Sequence, residues 1–61
     1  MVITKKARKL IAYGYAAWLA GEPLPTDFVF WLHTNGLSVR AVLNLFKRYD
    51  KLSDIIRELE N

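Results

Sequence analysis

Asn35-Gly36-Leu37-Ser38-Val39-Arg40 stands between two apolar stretches and sets where the chain doubles back. Gly36 tolerates the left-handed backbone that commonly ends a helix, and Ser38 is placed to cap the next one. The helix that Ser38 opens is expected to reach Tyr49. Along it Arg40, Asn44, Lys47 and Arg48 fall at i, i+4, i+7 and i+8. At about 100° per residue they share a face roughly 100° wide. Val42, Leu45, Phe46 and Tyr49 take the opposite face. One side is fit to pack and the other to present three cations and an amide. Nucleic-acid binding is therefore the leading functional expectation, with DNA as the expected partner.

Upstream of this corner, Thr4 is the expected cap of a helix reaching Ala20, with Gly21 placed to stop it and Met1–Ile3 extended or frayed. Its first turns hold Lys5, Lys6, Arg8 and Lys9 and no acid. Cations there oppose the helix dipole at a cost of some tenths of a kcal/mol each, roughly, which hints that they serve a purpose other than stability. The expected purpose is contact with phosphates. From Leu10 to Ala20 the helix is apolar almost all round. Eleven helical residues span about 16 Å, far short of a bilayer core. A basic start before an apolar run also imitates a secretory signal, but Tyr13, Gly14 and Tyr15 interrupt the run and Trp18 stands where a small residue should precede cleavage. The segment reads instead as a central helix touched from several sides, with Gly14, Ala16 and Ala17 allowing close approach. No membrane association is expected.

Gly21-Glu22-Pro23-Leu24-Pro25 is a stiff connector, too short to link domains. Thr26 is the expected cap of a short helix ending at Thr34, with Phe28, Trp31 and Leu32 as its apolar stripe. Beyond Tyr49, Asp50 is the expected cap of a last helix, in which Leu52, Ile55, Ile56 and Leu59 follow helical spacing. Asp54 and Glu58 share its outer face and read as solvated carboxylates rather than metal ligands. No alternating strand-length run and no repeat occurs. The expected fold is all-α, one domain over residues 1–61, a small bundle of about four helices with a helix-turn-helix-like corner.

The 61 residues contain no Cys and one His, so disulfides, thiolate metal sites and a zinc constellation are excluded. Stability must come from apolar packing, and 52% of the chain is hydrophobic, with two Trp, three Tyr and three Phe. So many core-forming residues in so short a chain also make a homodimer a reasonable expectation. The net charge is +3, concentrated on the first helix and on the helix after Ser38. The two basic patches could follow one phosphate backbone if the fold brings them together.

Phe28 to Lys47 resembles the helix-turn-helix of DNA-binding regulators. The matching features are the turn Gly36, apolar Leu37, capping Ser38, and Trp31, Leu32, Val42 and Leu45 at inward positions. The resemblance implies that the second helix lies in the major groove, with Ser38, Val39, Arg40, Leu43, Asn44 and Lys47 facing DNA. Arg pairs with guanine, Asn with adenine, and a small apolar side chain meets the thymine methyl. Leu32 departs from the small residue usual at its position, and Asn35 from the usual apolar one. Trp31 to Leu59 also looks like a helix-hairpin-helix segment, whose turn holds a phosphate with backbone N–H groups. Here Ser38 replaces that motif's second glycine.

Two functions from different classes follow. The first is a small DNA-binding module, a transcriptional or mobile-element accessory regulator. It would contact phosphates with Lys5, Lys6, Arg8, Lys9 and Arg48, and bases with Arg40, Asn44 and Lys47. The second is a non-enzymatic protein-interaction adaptor of the phage accessory type. It would bind through Tyr13, Tyr15, Trp18, Phe28, Phe30 and Trp31, more aromatics than one small core easily hides. Catalysis is not expected. Ser38, Ser53 and His33 read as helix-end residues, and no nucleophile, base and orienting group can be named together. No cofactor is expected, since the chain has no phosphate-cradling loop or dinucleotide fingerprint. The expected location is cytoplasmic.

Overall fold

The computed structural model describes residues 1–61 as four α-helices and no strand. They are α1 (Lys5–Leu19), α2 (Thr26–Thr34), α3 (Val39–Arg48) and α4 (Leu52–Glu60). The protein is a small all-α bundle. The principal packed pairs are α1 with α2, α2 with α3, α3 with α4 and α4 with α1. The helices therefore neighbour one another in cyclic order, with α1 and α3 at diagonal corners.

Two glycines make the turns that close this circuit. At the end of α1, Gly21 takes φ +71° while its N–H donates to the Trp18 carbonyl and that of Glu22 to Ala17. At the end of α2, Gly36 takes φ +68° while its N–H donates to His33 and that of Leu37 to Leu32. Both ends thus pair a left-handed residue with two reversed hydrogen bonds that satisfy otherwise orphaned carbonyls. The second bond also folds Leu37 back against the core beside Leu32.

The N-terminal caps agree with expectation at two helices and differ at two. The Thr4 hydroxyl accepts from the Ala7 N–H at 3.1 Å, and the Ser38 hydroxyl from Ala41 at 3.4 Å. Thr26 does not cap α2 but is its first residue, after Pro25 at φ −59° and ψ 138°. Pro25 gives up no N–H bond at this position, and its carbonyl accepts from Val29. Asp50 likewise does not cap α4. Lys51 stands at that position, and no side chain takes over the free N–H groups. Asp54 in the first turn supplies the favourable charge instead.

The core is one cluster of ten buried apolar residues drawn from all four helices and from Ile3. The start of the chain is not frayed: Ile3 is buried, and the Met1 ammonium donates to the Glu60 carbonyl at 3.1 Å. Phe46 lies at the aromatic centre, with ring centroids 5.1 Å from Tyr15, 5.8 Å from Trp18 and 6.1 Å from Phe28. These spacings suit offset and tilted aromatic pairs. Gly14 explains its own presence inside α1, because a Cβ there would stand 2.6 Å from two carbons of the Phe28 ring. Close approach is thus confirmed at Gly14, whereas Ala16 is exposed. The apolar half of α1 is not surrounded: Tyr13, Leu19 and Ala20 also face outward. In a chain this short, three partner helices cannot wrap a fourth. No helix is long and apolar enough to cross a membrane.

Candidate nucleic-acid interface

Packing of α3 follows from its sequence. Val42 and Phe46 are buried one turn apart, with Val39, Leu43, Leu45 and Tyr49 half-buried around them. Arg40, Asn44, Lys47 and Arg48 occupy the remaining face and are all exposed. The four residues expected from helical spacing to share a surface therefore do so. Within the chain no carboxylate comes within 4.0 Å of the three cations, since the one ion pair is Arg57 with Asp54 at 3.7 Å. The Arg48 guanidinium lies 6.0 Å from the centre of the Tyr49 ring, at the outer edge of a cation–π contact.

The other residues expected here are placed differently. The Ser38 hydroxyl caps α3, while Val39 and Leu43 turn partly into the core. Their side chains are offered to a partner only in part. Lys5, Lys6, Arg8 and Lys9 are exposed at the start of α1, and none is ion-paired. The two basic patches lie on different helices, α1 and α3, which are not among the principal packed pairs. Phe46 of α3 meets Tyr15 and Trp18 in the second half of α1.

Next to the basic face lies a polar contact that periodicity did not disclose. The Tyr49 hydroxyl donates to Glu58 Oε1 at 2.6 Å, and the Tyr15 hydroxyl donates to the Tyr49 carbonyl at 3.3 Å. The bond to Glu58, which ionisation would break, is the main reason the Tyr49 phenol is raised above its ordinary 10.0, with neighbouring Arg48 opposing. Asp54 and Glu58 are thus both engaged, one with Arg57 and one with Tyr49, rather than being merely solvated. The i, i+9 separation of Tyr49 and Glu58 crosses a turn, so neither helical nor strand spacing signals it.

The aromatic residues divide into two groups. Phe28 is fully buried, and Tyr15 and Trp18 are half-buried in the cluster around Phe46. Tyr13 and Phe30 remain 65% and 71% exposed, and Trp31 is half-buried. No group of three or more metal-ligating side chains occurs. Comparison with protein-family models, curated proteins and solved structures finds no match for this chain.

Proposed function

We propose that this protein is a small DNA-binding module that meets the duplex with the outward face of α3. One observation carries the reading: Arg40, Lys47, Arg48 and Asn44 form a single exposed face free of ion pairs, on a helix whose other side is anchored in the core. A cation without a carboxylate partner can release the counterions of a phosphate at no cost in broken ion pairs. Arg40 and Asn44, one turn apart, have the donors and acceptors to address guanine and adenine edges, while Lys47 and Arg48 hold the backbone. Helix-turn-helix docking of α2 and α3 belongs to this proposal, as do a regulatory role and a cytoplasmic location. In this reading the exposed Lys5, Lys6, Arg8 and Lys9 of α1 supply a second set of phosphate contacts.

Fluorescence anisotropy with a labelled mixed-sequence duplex tests the reading. Binding should weaken steeply with salt, Lys47→Ala should lower the salt slope by about 1, and Arg40→Ala should weaken binding and relax the preference at one base pair. Binding that ignores both substitutions would overturn the assignment to α3.

The exposed Tyr13 and Phe30 favour a second reading, a non-enzymatic adaptor that recognises another protein. Under it the α3 cations confer solubility, and their substitution leaves partner binding intact.

A further inference from the structure

A groove of about 400 Å³ runs between α1 and α2 on the outside of the bundle, lined by Lys6, Leu10, Asp27, Phe30, Trp31 and Thr34. Its walls are apolar in the middle. Leu10 and Trp31 are half-buried, and from Leu10 to its end at Leu19 α1 carries no charge at all. Phe30 projects from the same surface, 71% exposed. One bulky apolar knob therefore stands beside a concavity large enough to receive a phenyl ring.

The charges at the groove indicate what occupies it. Only six residues join α1 to α2, and Gly14 meets Phe28, so the two helices double back on each other and Lys6 lies toward the Thr34 end of the groove. Asp27 lies at the other end. Neither Lys6 nor Asp27 has an ion-pair partner within the chain. A two-fold rotation about an axis across the groove exchanges its ends, bringing the Lys6 end of each copy against the Asp27 end of the other. It also sets the Phe30 of each copy against the groove of its mate, the reciprocal arrangement a two-fold interface requires. From this self-complementarity we infer that the α1–α2 groove docks a second copy of this chain. A nucleic acid is a poor occupant, given the apolar walls and Asp27. The groove includes no residue of α3, so the dimer leaves the α3 basic face free and takes only Lys6 from the α1 cations.

Light scattering or sedimentation of the intact chain, from about 1 µM to about 1 mM, reads the outcome directly. The mass should climb from 7.1 kDa toward twice that value. Phe30→Ser replaces an exposed side chain and should keep the helical circular dichroism while weakening association about tenfold or more. Lys6→Asp should weaken it as well, and adding Asp27→Lys to the same chain should restore it. Arg40→Ala should leave the dimer unchanged, which separates this surface from the proposed DNA face. A mass of 7.1 kDa throughout, or association indifferent to Phe30→Ser, would overturn the proposal and leave the groove to an unlike partner. Failure of the double charge exchange to recover association would overturn the two-fold arrangement.

Discussion

Gly14 and Tyr49 are the two residues whose surroundings contradict what their types suggest in isolation. A glycine inside a helix costs about 1 kcal/mol relative to Ala, so Gly14→Ala should stabilise α1 on propensity alone. Steric crowding reverses the sign. The added methyl meets three Phe28 ring carbons between 2.6 and 2.8 Å, and that ring is fully buried against Phe46 and cannot swing aside. Overpacking of this kind costs about 1–3 kcal/mol, and the expected net effect is a melting temperature lowered by roughly 5–10 °C in thermal denaturation. At Tyr49 the hydroxyl bond to Glu58 favours the protonated phenol, so the folded state holds that proton more tightly than the unfolded chain does. The associated stabilisation is complete below the unfolded value of about 10 and is lost as pH rises through the higher folded value. The difference in melting temperature between the wild type and Tyr49→Phe should stay constant from neutral pH to about pH 9 and shrink above about pH 10.

At the scale of the element, α3 carries the functional argument because its two sides are so unlike. Its inward side supplies Val42 and Phe46 to the core, and its outward side supplies cations to solvent. Arg40 sits in a first turn with no acid, where the dipole disfavours it, while Lys47 and Arg48 sit in the last turn, where the dipole favours them. Arg40→Ala should accordingly leave the thermal midpoint unchanged or slightly raised while reducing duplex affinity. Lys47→Ala and Arg48→Ala should lower both slightly. Parallel melting and anisotropy measurements would separate binding from stability in this way. The same contrast holds for α1, whose four leading cations also lack an acid in the first turn.

For the whole molecule, ten buried residues must hold 61 in place, and a domain of this length is worth about 3–9 kcal/mol in all. Phe46 touches α1 and α2 as well as its own helix. Phe46→Ala should cost about 3–5 kcal/mol, enough to abolish most of the cooperative melt at 25 °C. Leu19→Ala removes a side chain that is 63% exposed and should shift stability by about 0.5 kcal/mol or less. Circular dichroism melts of the two variants side by side would test whether the Phe46 cluster is the keystone of the circuit. In the proposed DNA reading the α1 cations meet only phosphates, so removing the four should weaken duplex binding without altering its sequence preference.

Local chemistry determined most of the architecture. Helical spacing placed Ile55, Ile56 and Leu59 on one side of α4 and divided α3 into its two faces, because 3.6-residue periodicity is a property of adjacent residues. Gly21, Gly36, Thr4 and Ser38 marked helix ends because a cap acts within a few residues of itself. The caps at Pro25 and Lys51 carry no such local mark, since neither residue has a side-chain oxygen to accept from the helix. Tertiary packing alone decided which aromatics were core. Phe28 and Phe30 lie two residues apart with the same chemistry, yet one fills the space beside Gly14 and the other projects into solvent. It alone paired Tyr49 with Glu58, seated Ile3 in the core and opened the α1–α2 groove. Each of these depends on where a second element comes to rest, and no spacing along one helix encodes that position.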